Sequence, residues 1–266
     1  MKKGFEGMHP KQRQEMLLVL LAKHGFVSIR DLAERLDVSE MTVRRDLRVL
    51  QSQGLVNQVT GGGQMAGSSS EQPFMAKRLL QQAEKLWIAK TALPLIEPQM
   101  TIGLSAGTTT WTLANAISGF RDLTFVTNST NIAIDLNHNG WQDIILTGGH
   151  FRTPSDALVG PLAEATVRKV HMDILFLGVH GIDLATGIST PNLLEASIDR
   201  LLMERADKVV LLFDHSKWGV QALAHIAVID EVDAVVTDDG GREFEISALR
   251  DADVEVILAA LGGVKS

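Results

Sequence analysis

A chain of 266 residues, 45% of them hydrophobic and 21% charged, carries enough apolar material for a core and enough length for two domains. It holds no cysteine, which excludes disulfides, thiolate metal sites, iron–sulfur clusters and a cysteine nucleophile; no apolar run reaches the roughly 18 residues of a membrane span, and Met1-Lys2-Lys3-Gly4-Phe5-Glu6-Gly7 lacks a signal peptide's apolar stretch, so the expected location is the cytoplasm. The net charge of -7 is uneven: residues 1–62 carry ten Lys/Arg against seven Asp/Glu, a balance of +3, and the remainder a balance of -10, so a head able to meet phosphate precedes an acidic body.

Pro10 lies near the start of a stretch in which Met16, Leu17, Leu20 and Leu21 recur at helical spacing, ending before Gly25. Ser28 is placed to cap a second helix, whose Ile29, Leu32, Ala33 and Leu36 form one apolar stripe. After the tight link Asp37-Val38, Ser39 caps a third helix with Val43, Leu47 and Leu50 turned inward and Gly54 as its stop. Leu55–Val59 alternates like a short strand, and the whole describes a winged helix-turn-helix. Gly61 to Ser70 has the small-residue composition of a flexible connector. The division drawn here is a winged helix-turn-helix domain at 1–63, a linker at 64–76 and a second domain at 77–266. In the second domain, apolar runs at 101–104, 123–127, 144–146, 174–179, 209–213 and 234–237 alternate with helical patterns, which predicts an α/β sheet, mostly parallel.

With Val43, Leu47 and Leu50 inward, Met41, Arg45 and Arg48 project outward, flanked by Thr42 and Arg44. That basic face begins at a helix N-terminus and fits the major groove: Arg reads guanine or grips phosphate, and the Ser39 hydroxyl and first-turn amides meet phosphate oxygens. A merely solvated charged face has the same composition. Taken as one string, however, Asp31-Leu32-Ala33 to Leu36, Val38-Ser39, Met41-Thr42-Val43-Arg44-Arg45-Asp46-Leu47, Gly54-Leu55-Val56 and Gly61-Gly62 resemble the N-terminal domain of the DeoR family of bacterial transcriptional regulators. The resemblance runs on through Gly107-Thr108-Thr109-Thr110, Thr127-Asn128-Ser129, Gly148-Gly149, Gly160-Pro161, Phe176-Leu177-Gly178, Gly181-Ile182-Asp183, Thr190 with Asn192 and Glu195-Ala196, and Asp214-His215-Ser216-Lys217. It implies a Rossmann-like α/β effector domain related in fold to ribose-5-phosphate isomerase, with a phosphorylated sugar or derivative as effector. Gln58 and Thr60 stand where the family's wing usually has Arg and His, Ser105 where an Asp is common, and His180 where a smaller or acidic residue is frequent. The last two flank the implied ligand and point to an atypical effector.

The same residues can be read as chemistry. Leu104 to Thr110 follows a strand and opens a helix, so Ser105, Gly107, Thr108 and Thr109 bring amides and hydroxyls together as an anion requires; helix capping is the plainer alternative. Asn128 and Ser129 end another strand and either bond sugar hydroxyls or form a turn. Gly149 lets backbone approach a ligand or makes a turn, and Arg152 bonds a phosphate or a surface carboxylate. His180 and Asp183 close the most hydrophobic strand and are expected near the ligand mouth. Asn192 and Glu195 start a helix, where a carboxylate favours the dipole with or without a sugar contact. Lys217 supplies a point charge for phosphate or stays solvated.

Three functions compete, of which the third, an interaction module without a ligand, leaves the ordered polar strand ends unexplained. The first is a DNA-binding regulator, a repressor of a carbohydrate-utilisation operon in the expected form, with operator duplex and effector as partners and a homodimer or higher homo-oligomer matching a repeated operator. The second is a sugar-phosphate isomerase or deaminase, using Asp183 or Glu195 to move a proton. The attached winged helix favours the first, and neither cofactor nor metal is expected.

Overall fold

Residues 9–66 and 72–260 are described by a computed structural model. They form two units, one up to Leu80 and one from Gln81 on. The first unit runs α1 (Pro10–His24), β1 (Phe26–Ser28), α2 (Ile29–Leu36), α3 (Glu40–Ser52), β2 (Val56–Val59), β3 (Gly62–Met65) and α4 (Phe74–Leu79). Both serine caps form: Ser28 Oγ accepts from the Asp31 amide at 3.0 Å and Ser39 Oγ from the Thr42 amide at 3.1 Å. Leu17, Leu21, Leu32, Leu36, Val43, Leu47 and Leu50 fuse into one core. Met16, grouped with that face by spacing, turns partly outward instead, and Leu18 takes the buried place.

The wing differs from its reading by composition. Gly62–Met65, assigned to a connector, is the central strand of a three-stranded antiparallel sheet in the order β1-β3-β2. Its glycines are there for close approach. A Cβ on Gly62 would stand 2.4 Å from the Val27 carbonyl oxygen and 2.5 Å from the Phe26 ring. Of the expected linker 64–76, residues 67–71 lie outside the described residues and Phe74–Ala76 open α4, while residues 1–8 with the start of the chain also lie outside them.

The second unit contains α5 (Gln82–Ala92), β4 (Thr101–Leu104), α6 (Thr108–Ala116), β5 (Thr124–Thr127), α7 (Thr130–His138), β6 (Ile144–Leu146), β7 (His150–Arg152), β8 (Ala157–Val159) and α8 (Pro161–Val167). It continues with β9 (Met172–Gly178), β10 (Gly181–Asp183), β11 (Gly187–Thr190), α9 (Leu193–Glu204), β12 (Ala206–Phe213), β13 (Ala224–Ala227), β14 (Ala234–Asp238), α10 (Glu243–Asp251) and β15 (Glu255–Ala259). Seven strands form a parallel sheet in the order β15-β14-β12-β9-β4-β5-β6. Apolar clusters cover its two faces, one holding Leu175, Leu177, Leu211 and Val235, the other Ile174, Phe176, Val210 and Val236. Burial on both sides explains why these strands read as continuous apolar runs. Successive strands step outward from β4 in one direction and then from β9 in the other. The topological switch point, where open α/β sheets place their ligand crevice, therefore lies between β4 and β9.

Candidate functional site

In the first unit, α3 buries Val43, Leu47 and Leu50 and presents Met41, 72% exposed, with Arg45 and Arg48 on its outer side. Thr42 and Arg44 are half-buried beside them. Ser39 Oγ is occupied by the Thr42 amide and hydroxyl, so its first duty is to start the helix. Arg44 lies 3.6 Å from Glu40 one turn earlier, while Arg45 and Arg48 have no side-chain partner among the described residues. Sequence reasoning passed over Asp46 on this helix, which is buried against Arg13. At the wing, Thr60 is exposed next to the tip and Gln58 is half-buried.

In the second unit the loops after β4, β5, β9 and β12 meet at the carboxyl edge of the sheet. Ser105 Oγ accepts from the Gly178 amide at 3.0 Å, pinning the end of β4 to the end of β9 across the switch point. Thr110 donates to the carbonyls of Ser105 (2.7 Å) and Gly107 (3.0 Å), shaping the loop from within. Asn128 ties in the next strand, accepting from the Ala106 amide at 2.8 Å. Ser129 caps α7 through the Ile132 amide at 3.2 Å and donates to Asp156. Asn192 caps α9, its Oδ1 accepting from the amides of Leu194 and Glu195. By contrast α6, which begins at Thr108 after the extended Gly107, has no side-chain cap, so its first-turn amides face the switch point unspent. Thr108 is half-buried at this opening and Thr109 is buried.

A second cluster involves Arg152. Its Nη1 donates to Glu195 Oε1 at 3.0 Å, and Glu195 also accepts from the hydroxyls of Thr190, at 3.0 Å, and Ser155. The β7–β8 hairpin that carries this group is bonded to the β5 loop through the Leu158 amide and Asn128 carbonyl at 2.7 Å. Gly149 lets the hairpin in: at φ 113°, a Cβ there would meet the Val159 carbonyl oxygen at 2.7 Å. Between the alternatives left open for Arg152, the structure shows a carboxylate partner, mostly buried rather than on the surface. Asp199, one turn after Glu195, is pushed well above the usual carboxylate range, by burial first and by Glu195's charge second.

Asp183, expected near the mouth, engages its own turn. Its Oδ1 accepts from the Ala185 and Thr186 amides and the Thr186 hydroxyl, which closes the β10–β11 turn. The Thr186 amide is the foremost cause of a carboxyl held below its ordinary range. His180 is half-buried directly after β9. Lys217 ends a short 3-10 turn after β12, half-buried, its ammonium without a partner among the described residues.

Two groups in the second unit also escaped sequence reasoning. Asp156 accepts from Ser129, Thr130 and the Asn131 amide and so organises the start of α7; the Thr153-Pro154-Ser155-Asp156 turn signature was its available signal. His215 pairs with the fully buried Asp238, Nδ1 to Oδ2 2.5 Å, and its amide donates to the other carboxylate oxygen at 2.6 Å. Burial is the largest single influence on the imidazole and lowers it. Asp238, with Asp214 and Glu84, outweighs that and leaves His215 above its ordinary value. Among the described residues no cluster of three or more His, Asp or Glu is placed to hold a metal, and no helix is long and apolar enough to cross a membrane.

Comparison with known proteins agrees with this geometry. Residues 13–69 match the DeoR-like helix-turn-helix domain and residues 80–239 the DeoR C terminal sensor domain. The chain is 34% identical over 93% of its length to a putative aga operon transcriptional repressor of Escherichia coli O157:H7, covering 93% of that protein. It is 33% identical over 95% of its length to the HTH-type transcriptional regulator GolR of Listeria innocua, covering all of it. With the HTH-type transcriptional repressor CsqR of Escherichia coli K12 it shares 32% identity over 92% of this chain and 94% of that one. Among solved structures, a ribose 5-phosphate isomerase from Plasmodium falciparum is a distant likeness, with TM-score 0.38 and 16% identity over 53% of this chain and 55% of that one. The chain belongs to the DeoR family of transcriptional regulators, with a helix-turn-helix DNA-binding unit followed by an effector-sensing unit.

Proposed function

We propose that this regulator is a cytoplasmic repressor of a carbohydrate-utilisation operon, and that a phosphorylated sugar or sugar derivative controls it from the carboxyl edge of the parallel sheet. The observation that carries the reading is the uncapped N-terminus of α6 at the β4–β9 switch point, beside neighbouring helices α7 and α9 that do have side-chain caps. In this reading the phosphate sits on the amides of Gly107, Thr108 and Thr109, with the unpartnered Lys217 as its counter-charge. Ser105 and His180 flank it, and Asn128, Ser129, Asn192 and the Arg152–Glu195 pair hold the shape of the sugar compartment; Asp183 stays with its turn. The relatives' names support the sugar assignment only by kinship: one is said to repress an aga operon.

On the DNA side, Met41, Arg45 and Arg48 enter the major groove, Arg44 and Thr42 flank them, and Ser39 sets the helix start. A homodimer or higher homo-oligomer spaces two such heads over a repeated operator, and the effector acts through its different affinity for the two arrangements. The units expected to carry these roles are 1–63 and 77–266, joined by 64–76.

All four tryptophans lie beyond Gln81, so their fluorescence reports the sensor unit alone. Thermal melts followed by that signal, against phosphorylated sugars, polyol phosphates and their unphosphorylated counterparts, are expected to show saturable stabilisation by a phosphorylated compound only. The Thr108→Val/Lys217→Ala variant is expected to lose that stabilisation while binding operator normally. A normal ligand response in this variant, or equal stabilisation by the unphosphorylated sugar, refutes the phosphate placement.

A further inference from the structure

The recognition helix α3 carries two acidic residues, Glu40 exposed in its first turn and Asp46 turned into the core. Asp46 sits between Arg45 and Leu47, two turns into α3, and is 2% exposed. Its partner, Arg13 on the first turn of α1, is 7% exposed. Arg13 Nε donates to Oδ2 and Nη2 to Oδ1 at 3.2 Å, a two-pronged fork, and Gln14 Nε2 adds a third donor to Oδ1 at 3.3 Å. The apolar seam beside it, Leu17 and Leu21 against Val43, Leu47 and Leu50, is non-directional: such side chains tolerate sliding and rotation. A planar guanidinium on a carboxylate does not, because both bonds lengthen or bend once either helix turns.

We propose that the Arg13–Asp46 pair is a positioning device that fixes the rotation and register of the recognition helix, and so sets operator discrimination rather than DNA affinity in general. The lever is long enough. A rotation of about 20° at a side-chain radius of roughly 6 Å moves the tips of Arg45 and Arg48 by about 2 Å, more than a base-edge hydrogen bond withstands. Phosphate attraction is far less particular, since it depends on charge within a broad field. A buried ion pair contributes little net stability compared with apolar replacements of similar volume, so geometry and stability can be separated by experiment.

Two variants of the full chain make the separation. Arg13→Lys keeps the charge and loses the fork; Arg13→Met/Asp46→Leu removes both charges and keeps the volume. Each is titrated with a duplex selected by the wild-type chain from a random-sequence pool and with a scrambled duplex, at a temperature where circular dichroism shows the variant folded. The ratio of selected to scrambled affinity is expected to fall about tenfold or more in both variants. Affinity for the scrambled duplex and its salt dependence are expected to stay within about twofold, because the outward cations remain. An unchanged ratio overturns the proposal, and so does a parallel loss on both duplexes, which is the signature of simple destabilisation. If the double replacement does not fold, Arg13→Lys decides the matter by the same ratio.

Discussion

Arg152→Ala is expected to destabilise the sensor unit in the absence of any ligand. Breaking a fully buried ion pair from one side costs about 3–5 kcal/mol. Here both side chains keep some water, at 18% and 11% exposure, and Glu195 retains the Thr190 and Ser155 hydroxyls in the first turn of α9, where the helix dipole favours it. The remaining cost is about 2 kcal/mol, or about 6 °C in the midpoint of a unit this size. Glu195→Gln keeps hydrogen-bonding capacity and relieves Asp199 of its like-charged neighbour, so a smaller loss of about 1 kcal/mol is expected. The double variant leaves no uncompensated charge, and the cycle should return a coupling of about 1–2 kcal/mol. Urea unfolding followed by tryptophan fluorescence measures all four corners on the sensor unit alone. The coupling should survive 1 M salt, as a shielded pair's does. A coupling below about 0.5 kcal/mol, or one abolished by salt, shows that Arg152 is a surface cation and returns it to the pool of phosphate ligands.

Three further outcomes follow from the same geometry. Arg45→Ala should weaken operator binding by about 5- to 150-fold, and Arg44→Ala by less, because Glu40 already holds part of Arg44's charge; equal losses in a gel-shift titration contradict that ordering. Gly62→Ala drives a Cβ against the Val27 carbonyl in the middle strand of the wing, an overpacking worth about 2 kcal/mol. In a unit this small it lowers the midpoint by about 10 °C, and an unshifted calorimetric transition refutes the close approach. His215 is raised when folded, so its stabilisation is complete below its unfolded value near 6.5 and is lost as pH rises through the folded one. The midpoint difference between wild type and His215→Gln should therefore shrink as pH rises above about 6.5; a difference that grows reverses the sign of the Asp238 contact.

Helix α3 was legible because its information is local. A cap, a 3.6-residue stripe and a stop sit within one short window, and Ser39, Val43, Leu47 and Leu50 take the places that spacing assigns. Asp46 was not, since its partner lies 33 residues earlier and an Asp among arginines reads as surface charge. Gly62 and Gly63 failed for the opposite reason: composition treats glycine as flexibility, while here the missing side chain makes room for Phe26 and Leu47. The parallel strands declared themselves through apolar runs, but the small hairpins did not. Their residues work as spacers and donors for Asn128 and Glu195, a role without periodicity. Arg152 and Asp183 show the same limit at the site, where residue type announces capacity for charge and only the fold chooses the partner.

That choice bears on why an α/β unit of this kind senses a metabolite without transforming it. Isomerising a sugar phosphate requires a carboxylate free to take a proton from carbon beside a carbonyl. Asp183 has its Oδ1 engaged by three donors of its own turn and is held below its usual range, which makes it a poorer base. Glu195 is enclosed by Arg152, Ser155 and Thr190, so reaching a substrate would strand a buried guanidinium. What the carboxyl edge leaves open is of another kind: first-turn amides at α6 and the ammonium of Lys217. Such groups are suited to an anion and neither serves as a base at neutral pH. On the proposed placement, a ligand held by those donors while both carboxylates are engaged by the protein stays intact, so its binding energy goes into shifting the protein between states, as a reversible regulator requires.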